Sequence, residues 1–150
     1  MSWEFETDPE FQEELDWIDN FVKEEIEPLD FIIKSPYDLT DPIRNEIIKP
    51  LQKQVQDRNL WACHLGPDLG GPGYGQVKLA LMNEILGRAR CASTIFGTQA
   101  PDTGNSEILA HYGTPEQKEQ FLEPLLRNEI VSCYSMTEPQ GGADPKVFTT

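Results

Sequence analysis

Phe11, Leu15, Ile18, Val22, Ile26 and Leu29 stand at intervals of four and three, so a helix through them turns one apolar stripe to one side. A helix of this kind is marginal alone. Each large apolar side chain contributes roughly 1.5–3 kcal/mol once buried, and another element must do the burying. The spacing returns in Ile43, Ile47, Leu51 and Val55, and again in Val77, Leu81 and Ile85. Three such stripes predict helices packed on helices over most of the chain. At 150 residues, one core of ordinary domain size suffices, and no apolar run approaches the length of a bilayer span.

Local signals set the boundaries. Thr7 or Asp8 can cap a first helix from about Pro9 to Glu27, with Pro9 in its first turn. Asp41-Pro42 restarts a helix by the same logic, and Pro50 inside it predicts a kink or a delayed start. Further helices are expected over Gln76–Arg88, less distinctly near Ser93–Gln99, and over Asp102–Tyr112, which Gly113 should stop in a left-handed conformation. Thr114, Pro115 and Gln117 form a capping box for the next helix, which Pro124 should end or bend. Only then does the pattern change: "EIVSCYSMT" is β-branched and aromatic, predicting a strand from Ile130 to Thr137. The expected fold is mainly α, a bundle of about six helices ending in one or two short β-strands. Residues 1–129 would form an all-α domain and 130–150 the start of a β domain. A strand without partners is marginal, so the chain is expected to be a fragment or to borrow a sheet.

Charge narrows the function. The net charge is -14, and twelve of the 26 acids but only one of the 12 bases fall within residues 1–30. That field repels a nucleic-acid backbone, and the acids suit a solvated helix face. The start "MSWEFETDPEF" is no basic, apolar leader, which points to the cytoplasm. Cys63, Cys91 and Cys133 form no CxxC pair and are expected to be reduced core thiols. His64 and His111 lack companions at metal spacing and are expected to be packing or surface residues, so no metal ligand is assigned. "GPDLGGPGYG" has Gly71 and Gly73 placed for a dinucleotide loop, but Gln76 stands where the third glycine belongs and no strand precedes it. It is expected to be a turn between helices. Glu10 pairs with Glu13 and Glu14 at helical spacing, without the cleft that a hydrolytic pair needs.

"SMTEPQGGADP", residues 135–145, is at least a strand end and a turn; Gly141 and Gly142 would let backbone N–H groups approach an anion. "YSMTEPQGGAD" resembles the signature of the acyl-CoA dehydrogenase family. In the family's order upstream, "PDLGGPGYG" resembles its loop between the second and third helices, and "FGTQAPDTGNSEILAHYGTPEQKEQFLEPLLRNEI" its fourth to sixth helices. The "QAPDTGN" spelling is similar to the subgroup acting on longer acyl chains.

The resemblance implies FAD as cofactor and an acyl-CoA as substrate, oxidised to the 2-enoyl-CoA. It also implies electron-transfer flavoprotein as acceptor and a homo-oligomer when complete. The backbone of Tyr134 and Met136 and the hydroxyl of Thr137 would contact the flavin ring. Gly142 and Ala143 would lie by the pyrophosphate or the thioester, and Gln99 would line the acyl pocket. Two departures stand out: the family's usual Ser is Ala143 here, and Pro145 removes a donor. The family's catalytic glutamate has no counterpart in this chain, so no catalytic residue is assigned and the chain alone is expected to be inactive. Two alternatives stay open: a non-catalytic helical interaction module, or a flavin oxidase or monooxygenase of the same superfamily.

Overall fold

The computed structural model describes residues 6–69 and 71–150. The acidic start, read as no leader, falls partly on residues 1–5, and one glycine of the Gly/Pro loop is Gly70; these lie outside the described residues.

Helix α1 spans Pro9–Phe21, and its cap is Asp8, whose carboxylate accepts the Phe11 N–H at 2.9 Å. Phe11, Leu15, Ile18, Val22, Ile26 and Leu29 are all buried, as the periodicity predicts. The path beyond Phe21 is not the regular helix expected. The chain widens into a π-helix over Val22–Ile26, then tightens into a 3₁₀ helix over Glu27–Phe31. Pro28 supplies the reason. It has no N–H, and its ring would clash with the carbonyl four residues back, so Glu27 reaches back five residues to the Val22 carbonyl instead.

The same device recurs. The last helix, α6, starts as Pro115–Gln117 behind the capping box of Thr114 and Gln117, widens to a π-helix over Lys118–Leu122, and resumes as Glu123–Leu126. There Glu123 bonds back to the Lys118 carbonyl, just before Pro124. Both π-turns thus precede a Glu-Pro-Leu triplet, at residues 27–29 and 123–125. Pro124 does not end the helix; Asn128, at φ 51°, follows it in the left-handed conformation that suits asparagine at a helix end.

Between them, α2 (Pro42–Asp57) is capped by Asp41 and runs unbroken through Pro50. Pro50 and Glu46 are both exposed, so the carbonyl that loses its donor lies on the solvent side, and the helix starts at Pro42 without the delayed start. The buried face of α2 is Arg44, Ile48, Leu51, Gln52 and Val55; Ile43 is exposed. In α3 (Gly75–Leu86) the expected register is also turned: Met82 and Leu86 are buried, Leu81 and Ile85 half-buried, and Val77 is 77% exposed. Helix α4 is short, Ala92–Ile95, and α5 covers Asp102–Tyr112. Gly113 stops α5 in an extended conformation, φ -67° and ψ 143°, not the left-handed one expected. Among its described residues the Gly/Pro loop holds one 3₁₀ turn, Pro67–Leu69.

Helix α1 packs on α3, α2 on α4, and α5 on α6. Phe21 meets Phe96 edge-on at 6.1 Å between ring centres. Most chain-distant bases point at the acidic first segment: Lys78 pairs with Asp8 at 2.9 Å, Arg58 with Glu14 at 3.2 Å, and Arg88 with Asp19 at 2.7 Å. No helix among the described residues is long and apolar enough to cross a membrane.

The strand expected over Ile130–Thr137 is not formed. Among the described residues no ladder pairs this segment, and the bridge between Glu138 and Gly141 closes a turn. A strand needs a neighbour for its backbone groups, and none lies alongside among the described residues. Cys133, in this segment, is exposed and not the core thiol expected; Cys63 and Cys91 are buried.

Candidate functional site

Residues 97–105 and 130–142 come together at one end of the bundle. The connection from α4 to α5 contains a cis Ala100–Pro101 peptide, and Gln99 stands just before it. Gln99 is 3% exposed; its side-chain nitrogen donates to Asp102, while its carbonyl oxygen has no partner among the described residues. A cleft of about 220 Å³ opens beside it, lined by Tyr37, Gln99, Ala100, Pro101, Asp102, Val131 and Ser132.

Asp102 begins α5. One carboxylate oxygen accepts both the Ser132 N–H, at 2.8 Å, and the Ser132 hydroxyl, at 2.5 Å. Asn105 donates to the Ser132 hydroxyl oxygen at 2.8 Å. The Tyr134 hydroxyl lies against Gly104, where a Cβ would come within 2.4 Å of it. A side chain at 104 would require the exposed Tyr134 ring to shift.

Of the residues expected at the flavin edge, Tyr134, Met136, Thr137, Gly142 and Ala143 are all exposed. Gln99 and Ser132 are joined through Asp102, and Tyr134, two residues on, sets its hydroxyl against Gly104; among the described residues Met136 and Ala143 have no hydrogen-bond link to that cluster. Glu138 to Gly141 is a tight turn: each backbone donates to the other at 3.1 Å, and Pro139 presets its first central position. A Cβ at Gly142 would stand 3.2 Å from the Thr137 methyl group. Pro145 opens the 3₁₀ turn Pro145–Val147, so its missing N–H is one the first position does not need.

Glu138 gathers the following segment. Its carboxylate accepts the Thr149 N–H at 2.9 Å, the Thr149 hydroxyl at 3.0 Å and the Thr150 N–H at 3.1 Å, with further bonds from the Thr150 hydroxyl and Gln140. These donors, the Thr150 hydroxyl first, hold its carboxyl well below the usual range, down to about 2.

Behind the cleft lies a polar cluster that periodicity does not signal. Arg44, fully buried, donates to the Pro36 carbonyl at 2.9 Å, to Asn45 at 2.8 Å and to Asn128 at 2.8 Å. Gln52 adds a bond to Asn128 at 3.1 Å, and the Trp61 indole donates to the Leu126 carbonyl at 2.9 Å. The signal that could have found Asn128 is its place two residues after the last apolar helical position, where a left-handed stop is needed. His64 is half-buried and lies 3.0 Å from the Ser106 hydroxyl; burial lowers its pKa. His111 is exposed. No group of three or more metal-type side chains clusters among the described residues. Burial pushes the Cys63 thiol up to about 12, which suits packing and not nucleophilic chemistry.

Known proteins match over the same span. The family model described as "Acyl-CoA dehydrogenase, N-terminal domain" matches residues 8–129. Acyl-CoA dehydrogenase family member 11 of Pongo abelii is 38% identical over 133 residues, covering 85% of this chain and 17% of its own length. Family member 10 of Mus musculus is 42% identical over 99 residues, 63% of this chain and 9% of its own. A solved structure assigned to the acyl-CoA dehydrogenases, from Mycobacterium abscessus, superposes with a TM-score of 0.77 at 31% identity, over 95% of this chain and 38% of that one. The chain therefore spans well under half of each of these proteins.

Proposed function

Because the chain belongs to the acyl-CoA dehydrogenase family and carries its N-terminal domain, we propose that it contributes the acyl pocket and first flavin edge of an enzyme for the α,β-dehydrogenation of an acyl-CoA thioester. The observation that supports this reading is the segment after residue 130: among the described residues it has no ladder bonds, Val131 and Ser132 line the cleft holding Gln99, and Tyr134 and Met136 follow them with exposed side chains. The boundary between an all-α domain and the start of a β domain is assigned at 129/130.

FAD suits these groups. Backbone donors at Tyr134 and Met136 and the Thr137 hydroxyl would bind and orient the ring, and donors there would stabilise negative charge. Gly142 keeps the approach to Thr137 open, since a side chain would crowd the threonine methyl. FAD, when bound, supplies the acceptor for the substrate's β-hydrogen. Gln99 offers its unpartnered carbonyl toward the acyl side, and Ala143 its backbone N–H. Proton removal falls to a carboxylate that this chain does not hold. In the complete enzyme, electron-transfer flavoprotein takes the electrons, and the oligomer is made of identical copies, in the cytoplasm.

The test is direct. Purified as 150 residues, the chain should bind FAD weakly at best and turn over no acyl-CoA. A yellow chain whose flavin bleaches on adding acyl-CoA would overturn the division of labour. A chain extended by the relatives' downstream domains should be yellow and bleach; if it binds no flavin, the non-catalytic module is the better reading. If it is reoxidised rapidly by oxygen, the oxidase reading is.

A further inference from the structure

We propose that Asp102 is a positioning residue that sets the register of the segment 130–137 and thereby ties Gln99 to Tyr134; its significance for catalysis rests on the function proposed above. The segment has no ladder to hold it, so something else must decide which residue faces the helices. In an extended chain a slip of one residue turns every side chain to the other face. Three residues at the start of α5 prevent that slip. Asp102 accepts the N–H and the hydroxyl of Ser132 at 2.8 and 2.5 Å, Asn105 donates to the same hydroxyl oxygen at 2.8 Å, and Gly104 leaves room for the Tyr134 hydroxyl.

Ser132 and Tyr134 are two apart, so pinning the first aims the second at the same side. Valine or cysteine from positions 131 or 133 would bring no hydroxyl of this kind to Asp102. The second carboxylate oxygen holds the Gln99 amide, so one side chain fixes a residue on each side of the cleft. Two stretches that read as separate motifs, "QAPDTGN" and "SCYSMTEP", are one interlocked unit.

The test uses the ¹⁵N-labelled 150-residue chain, with far-UV circular dichroism as the folding control. In Asp102→Ala, hydrogen exchange at the Ser132 amide should quicken about ten- to hundredfold. The Tyr134 amide signal should move or split, and the Gln99 side-chain amide pair should shift, while Ile18, Ile48 and Ile95 keep their signals. Asp102→Asn retains an acceptor for the Ser132 N–H and should restore the Tyr134 signal. Should Asp102→Ala unfold the chain, Ser132→Ala supplies the decision: it removes a half-buried hydroxyl and should still move Tyr134 and the Gln99 amide pair. A folded variant with unchanged Ser132 and Tyr134 signals, or failure of Asp102→Asn to restore Tyr134, overturns the proposal. None of these signals requires flavin or acyl-CoA, so the functional reading can fail while the register device stands, and the reverse.

Discussion

Arg44 brings a guanidinium into the core, and among the described residues its hydrogen bonds go only to neutral oxygens, from Pro36, Asn45 and Asn128. Removing it leaves the Pro36 carbonyl without its donor and opens a cavity. Arg44→Ala should therefore cost about 2–5 kcal/mol in urea unfolding, with Arg44→Met costing less because the stem still fills the space. Glu138 is the opposite case, a half-exposed acid held by local donors. Its carboxyl lies near 2, below an ordinary value of 4.5, so the deprotonated form is favoured by the folded chain. The ordering it supplies is fully present above about 4.5 and is lost as pH falls through about 2. The Thr149 and Thr150 amide signals should hold their positions down to that low range, and in Glu138→Gln they should no longer follow a carboxyl titration. At this scale the caps were readable, because Asp8, Asp41 and Thr114 act within three residues of themselves. Arg44 and Asn128 were not, since they meet across 84 positions of sequence.

Among the elements, the stripe of α1 was fully legible, whereas that of α3 was misread by about one position. Val77, Leu81 and Ile85 fit a period of four, which drifts around a helix of 3.6 residues per turn. The face chosen by packing is Met82 and Leu86. Val77→Lys should accordingly change stability by no more than about 0.5 kcal/mol, and Met82→Ala should lower it by about 2–5 kcal/mol, both read from thermal melts. Pro50 is expected to kink or delay its helix and Pro124 to end or bend its own, yet the chain widens before Pro124, as it does before Pro28, and at Pro50 the helix runs on with the proline exposed. Periodicity cannot announce a π-turn, because five residues carry no repeat of their own. The expected strand misled for another reason: its composition is that of a strand, but pairing is a property of neighbours, not of the segment.

For the whole molecule, the helical architecture followed from amphipathic spacing, and the family from three ordered motifs that the matched span of residues 8–129 bears out in part. The interlock of Asp102 with Ser132 lay beyond that reading, since it depends on how the turn after α4 brings two distant stretches together. The uneven charge also has a structural counterpart. Arg58, Lys78 and Arg88 pair with Glu14, Asp8 and Asp19, while Glu10, Glu13, Asp16, Glu24 and Glu25 are exposed and form no ion pair among the described residues.

Those outward acids bear on the unpaired segment after residue 130. An open backbone edge flanked by exposed Ile130, Val131 and Tyr134 is sticky toward its own kind, and a net charge of -14 makes like molecules keep their distance. The shield thins with salt, since the screening length contracts from about 30 Å at 0.01 M to about 3 Å at 1 M. Light scattering should therefore show a single small particle in dilute buffer and growing clusters in concentrated sodium chloride. Val131→Lys should suppress that growth. The first helix thus acts as a colloidal stabiliser for an adhesive edge at the far end of the sequence.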